Sequence, residues 1–157
     1  MKWFIYQINL AHRLQLPLVL HIRKADRDGL AILRLFKKKL HGGVAHCFTG
    51  DSKVAKKYID LGLSIGIGAK LLDDDDEGRA LSDAVANVPL TSILVETDAP
   101  FVLPKDIDKQ GHKKLCNTSL ILPSVIERIA MLRKESVEQV EETIYQNTVK
   151  LFGLDMN

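Results

Sequence analysis

Four short apolar runs, set apart by helix-like stretches, constrain this chain more than any other feature. They are Pro17-Leu-Val-Leu-His21-Ile-Arg23, Gly43-Val-Ala-His46-Cys-Phe48, Leu63-Ser-Ile-Gly-Ile-Gly68 and Ile93-Leu-Val-Glu96. Each is rich in branched residues and too short for a helix, so each reads as a buried strand. Between the first two, Leu30, Leu33, Phe36 and Leu40 recur every three or four residues, which predicts an amphipathic helix from Ala25 to Leu40. Ser52 is the expected cap of a helix running to about Asp60, with Gly62 as its stop. Gly78 to Val88 supplies a third helix. Strands spaced about 20 to 30 residues apart and alternating with helices predict right-handed βαβ units on a parallel sheet.

The C-terminal part breaks this alternation. Pro123 suits the first turn of a helix carrying Val125, Ile126, Ile129 and Leu132. Ser136-Val-Glu-Gln139 has the form of a capping box before a last helix with Val140 and Ile144 on its apolar side, and Gly153 suits its end.

At 157 residues the chain is expected to form a single domain, residues 1–157. Its 46% hydrophobic and 27% charged residues are ordinary for a globular protein, and a net charge of +2 argues neither for nor against a nucleic-acid partner. No stretch resembles a membrane span, and Met1-Lys-Trp-Phe-Ile5 is too short for a signal-peptide apolar region. Cys47 and Cys116 form neither a zinc-ligand spacing nor a disulfide framework. A cytoplasmic or otherwise reducing compartment, the nucleus included, is the expectation. Asp73-Asp-Asp-Asp-Glu77 is the one low-complexity piece and reads as a solvated loop.

Three of the four strands carry a candidate metal ligand at or just beyond their C-terminal end: His21, His46 and Asp98. In barrels of parallel strands the active site is built at this face. Imidazole and carboxylate together suit Zn²⁺ or Mn²⁺, and a two-metal site suits phosphoester hydrolysis. Taken singly, each histidine also reads as a satisfied core residue and Asp98 as a turn residue before Pro100. Their repetition at the same point of successive units favours a site. Alternation along the strand points Cys47 away from the face His46 uses, so Cys47 is expected to be a buried structural thiol. His12, His41 and His112 receive no role, and Lys109-Gln-Gly-His-Lys-Lys114 reads as a solvated basic loop.

Taken together, Leu20-His-Ile-Arg-Lys-Ala25, His46-Cys-Phe-Thr-Gly50, Ile65-Gly-Ile-Gly68 and Glu96-Thr-Asp-Ala-Pro100 resemble, in order, the signatures of the TatD family of metal-dependent deoxyribonucleases. Phe4, Gln7, Leu10-Ala11, Leu16-Pro17 and the stretch from Asn147 to Gly153 fit the same pattern. The resemblance implies an α/β fold of the TIM-barrel type, (β/α)8, of amidohydrolase kind, with hydrolysis of DNA phosphodiester bonds. It also implies divalent metal ions (Mg, Mn or Zn), two per complete site. Carried across, His21 and His46 match the family's strand-end histidine ligands. Asp98 matches its final aspartate, both a ligand and the group that takes the proton of the attacking water. Glu96 is expected to support these ligands from behind. Arg23 is a candidate phosphate contact. Asn117 falls where the family often has an Arg-Asn-Glu-Pro-like element, here Cys116-Asn-Thr-Ser119, with the arginine replaced.

Two family signatures have no counterpart here: the His-x-His pair of the first strand and the glutamate of a Gly-Glu-x-Gly-Leu-Asp strand. The chain therefore resembles the last four βα units of the barrel plus its C-terminal helices, where a whole barrel needs about 250 residues. A truncated sequence is the favoured explanation, ahead of a split-gene product or a half-barrel completed by self-association. DNA is the expected partner and a membrane is not. Rival readings are a non-catalytic half-barrel module and an amidohydrolase acting on another ester or amide.

Overall fold

The computed structural model describes residues 1–104 and 117–154. Its regular elements run α1 (Lys2–Leu14), β1 (Leu18–His21), α2 (Asp26–Leu35), β2 (Gly43–His46), α3 (Ser52–Ile59), β3 (Ser64–Ile67), α4 (Asp76–Asn87), β4 (Ile93–Val95), α5 (Leu122–Arg133) and α6 (Val137–Phe152). All four predicted strands form, each shorter than its apolar run. They make one parallel sheet in the order β1-β2-β3-β4. Among the described residues β1 pairs only with β2 and β4 only with β3.

Alternation along the strands divides the sheet into two faces. Leu20, Ala45, Ile65 and Ile93 are register partners in one row facing the helices, and none is more than 3% exposed. They merge with Leu33 of α2, Tyr58 of α3, Leu81 and Val85 of α4, Val125 and Ile129 of α5, and Val140 and Ile144 of α6 into a single core. Each fully buried leucine or isoleucine there contributes about 1.5–3 kcal/mol. The opposite face is open at β1, where Val19 is 61% exposed.

The helix ends correct several expectations. The helix expected to reach Leu40 stops at Leu35, and a tight turn spans Lys37–Lys39. Two lysine ties accompany the break: Lys37 Nζ donates to the Asp60 carbonyl at 2.9 Å and Lys39 Nζ to Asn9 Oδ1 at 2.7 Å. Asp51, not Ser52, caps α3, accepting from the Val54 N–H at 2.9 Å, while the Ser52 N–H donates to Asp83 Oδ2 on α4 at 3.0 Å. The acidic run is ordered too. Asp75 caps α4 by accepting from the Gly78 N–H, and Lys70 Nζ sits 2.9 Å from Asp73 Oδ2 and 2.6 Å from Asp75 Oδ2. Its exposed members, Asp74, Asp76 and Glu77, match the solvated reading, and the first two pair with Arg79.

At the C-terminus the expectations hold. Pro123 lies in the first turn of α5, Ser136 Oγ accepts from the Gln139 N–H at 3.2 Å, and Gly153 ends α6 in the left-handed region at φ 59°. Asn147 fastens α6 to the sheet by donating to the carbonyls of Leu90 and Ile93. Among the described residues no helix is long and apolar enough to cross a membrane. Cys116 and the 109–114 stretch lie outside the described residues.

Candidate metal centre

The register sets the first two candidates side by side. His21 ends β1, His46 ends β2, and the two are direct partners, with ring centroids 5.7 Å apart. The chain leaving β4 runs one residue further along β3, where the Glu96 N–H donates to the Ile67 carbonyl at 3.0 Å. That step delivers Glu96 and Asp98 to the end of β2.

His46 is held between the two carboxylates. Its Nδ1 donates to Glu96 Oε2 at 2.6 Å, and its Nε2 lies 2.8 Å from Asp98 Oδ1. The Cys47 backbone N–H donates to the other Glu96 oxygen. Glu96 therefore fixes which imidazole nitrogen carries a proton and leaves Nε2 directed at Asp98, the carboxylate–histidine arrangement that orients metal-binding imidazoles. Burial works to lower the His46 pKa. The hydrogen bond and charge of Glu96, joined by the charge and bond of Asp98, outweigh it and raise the pKa above 6.5.

Room for Glu96 comes from Gly66. A side chain begun there would place its Cβ 2.5 Å from Glu96 Oε2. In the Ile65-Gly-Ile-Gly68 strand this glycine is the floor on which the carboxylate lies, a function the sequence pattern alone does not reveal.

Cys47 departs from expectation. Strand alternation ends at His46, and Cys47 turns into the left-handed region at φ 53°. Its side chain therefore joins the site, and Sγ donates to Asp98 Oδ2 at 3.0 Å. Burial, the Asp98 bond and charge, and the Glu96 charge push the thiol pKa up to about 12, with Arg23 opposing. The thiol stays protonated and serves as a donor that steadies Asp98.

The other candidates fall around this relay. His21, Arg23, Lys24, His46, Lys70 and Asp98 help line a cavity of about 310 Å³ open to solvent. His21 and Arg23 are exposed on its rim. Asn117 is only 3% exposed and lies behind the Asp98 turn, a placement that suits a supporting role. His46 Nε2 and Asp98 Oδ1, 2.8 Å apart, are candidate donors to one cation. Among the described residues no group of three or more His, Cys, Asp or Glu side chains is arranged to hold a metal. The pair fits one side of a metal centre, and His21 stands at the adjoining strand end.

Residues 1–153 match the family described as TatD related DNase. The chain belongs to the TatD family. The 3'-5' ssDNA/RNA exonuclease TatD of Rahnella sp. (strain Y9602) is 36% identical over 151 residues, covering 96% of this chain and 57% of that protein. The uncharacterized metal-dependent hydrolase YcfH of Escherichia coli K12 is 36% identical over 152 residues, covering 97% and 55%. The crystal structure of YjjV, a TatD homolog from E. coli K12, superposes with a TM-score of 0.79 at 29% identity, covering 95% of this chain and 54% of that one. The chain thus spans about half the length of the curated TatD relatives it matches. Its four parallel βα units are part of a TIM-type barrel, as the sequence implied.

Proposed function

We propose that this chain supplies one side of a divalent-metal-dependent nuclease site that hydrolyses DNA phosphodiester bonds. The observation that carries the reading is the Glu96–His46–Asp98 relay, with Nε2 and Oδ1 converging at 2.8 Å at the C-terminal ends of the strands. The names of the TatD exonuclease and metal-dependent hydrolase relatives support it. A divalent ion (Mg, Mn or Zn) bound there supplies positive charge to the phosphoryl oxygens and makes a neighbouring water more acidic.

The chain's own residues do the rest. Glu96 keeps Nδ1 protonated so that the Nε2 lone pair is the one presented. His21 and His46 would hold metal from adjoining strands. Asp98, steadied by Cys47, would hold metal and accept the proton of the attacking water. Arg23 and Lys24 on the cavity rim offer positive charge suited to a phosphate, whereas Lys70 in the wall is already paired with Asp73 and Asp75.

The remaining ligands come from the strands that complete the barrel against β1 and β4. The remainder of a longer barrel, or a second copy, would provide them. The cytoplasm is the proposed setting.

The test is Mg²⁺- or Mn²⁺-dependent release of nucleotides from single-stranded DNA, with bound metal and oligomeric mass measured on the same preparation. Activity abolished by both His46→Ala and Asp98→Ala supports the site. Activity surviving both substitutions overturns it. Cleavage of esters or amides in place of DNA would move the chain to the other amidohydrolase reading. A metal-free chain inactive on every substrate would leave a binding module.

A further inference from the structure

Asn117 is the one polar residue buried in the described structure, and its bonds all run to one turn. Its Nδ2 donates to Thr97 Oγ1 at 3.0 Å, to the Phe101 carbonyl at 2.9 Å and to the Val102 carbonyl at 3.1 Å. Its backbone N–H donates to the Pro100 carbonyl at 3.0 Å. The orientation of the amide is forced, because the two backbone carbonyls only accept and must meet the NH₂ group. Oδ1 is therefore turned away, buried and without a protein partner among the described residues. The NH₂ group, with three acceptors within 3.1 Å, is what ties this position to the turn.

The turn it grips carries Asp98. Thr97, just before Asp98, also accepts from the Ala99 N–H at 3.1 Å, and the Phe101 N–H donates to the Asp98 carbonyl at 2.8 Å. Val102 lies at φ 58°, a conformation a β-branched side chain adopts only when its surroundings over-determine it. The Asn117 bonds to both carbonyls flanking the Val102 N–Cα segment provide that constraint.

We propose that Asn117 is a positioning residue: its amide NH₂ group pins the 97–102 turn so that the Asp98 carboxylate stays against His46 Nε2. The inference rests on the reading of His46 and Asp98 as a metal-holding pair.

The experiment compares the wild-type chain with Asn117→Asp, which keeps the size but loses the donor, and with Asn117→Ala. Asp98→Asn serves as the reference for a lost pair and Ser136→Ala as a stability control far from the site. In both Asn117 variants, amide exchange at Ala99 and Phe101 should quicken about tenfold or more, as expected for a locally released turn. The His46 Nε2 nitrogen resonance should move toward its Asp98→Asn position, and Mn²⁺ affinity should fall about 10–100-fold. Ser136→Ala should lower the melting temperature without moving any of these. Wild-type exchange and an unmoved His46 resonance in Asn117→Asp would overturn the proposal, as would changes confined to Asn117→Ala, which would signify packing. If Asp98→Asn leaves Mn²⁺ affinity unchanged, the metal-pair reading fails by itself. Exchange and the His46 resonance then still decide whether Asn117 positions Asp98.

Discussion

Replacing Glu96 with glutamine tests the relay at its narrowest point. The substitution keeps the volume, so Gly66 still accommodates the side chain and no cavity opens. Glutamine offers one acceptor where the carboxylate offers two. The Cys47 N–H is a backbone donor with no alternative state, so it retains the oxygen. The new NH₂ then faces His46 Nδ1, which must become an acceptor and pass its proton to Nε2. An Nε2–H would donate to Asp98 and would leave no lone pair there for a metal ion. Loss of such a supporting partner costs about 10–100-fold in metal affinity, about 1.4–2.7 kcal/mol. The assay is Mn²⁺ titration by calorimetry on purified wild-type and Glu96→Gln chains, with the His46 tautomer read from its ring nitrogen resonances. The expected result is the tautomer change together with the affinity loss. A variant that keeps the Nδ1–H tautomer and binds Mn²⁺ within about twofold of wild type would refute this account of Glu96.

Gly66→Ala should destabilise the chain by about 1–3 kcal/mol in denaturant unfolding, because its Cβ displaces Glu96, and Mn²⁺ affinity should fall with it. Cys47, with its thiol pushed up to about 12, should resist iodoacetamide at pH 8 in a folded Cys116→Ser background and react once unfolded; rapid alkylation of the folded chain would contradict the Asp98 contact. The folded state raises the His46 pKa above 6.5 and so holds that proton more tightly than the unfolded chain. This contribution is complete below 6.5 and is lost as pH rises through the folded value, so the metal-free melting-temperature gap between wild type and His46→Gln should shrink toward alkaline pH. A gap that widens there would reverse the sign of the argument.

The strands and the places of His21, His46 and Asp98 at their ends were legible because both follow from local pattern: apolar runs for β1 to β4, and polar residues repeated where they end. The helix joints were less so. Asp51 caps α3 beside a Ser52 whose N–H donates to Asp83 across the fold, and Asp75 caps α4 while also accepting from the nearby Lys70. Cys47 misled for a related reason. Two-residue alternation holds only while the strand lasts, and one residue past His46 the backbone turns to positive φ. Gly66 carries no chemistry of its own, so its role becomes visible only when Glu96 is placed above it. Asn117 pairs with residues 15 to 20 positions away, which no spacing rule anticipates.

Site geometry and core packing are one constraint in this sheet. Leu20 pairs with Ala45, Ala45 with Ile65 and Ile65 with Ile93, and that buried row fixes the register on the helix side. The same register brings His21 level with His46 and Gly66 level with Leu94, one residue further along. A slip of one residue in any strand would exchange its two faces, burying the histidines and exposing the isoleucines. The large apolar row therefore guards the position of the two histidines without touching them. The opposite face at the strand ends is left to carry chemistry, where His46 needs only Glu96 behind it and Asp98 before it.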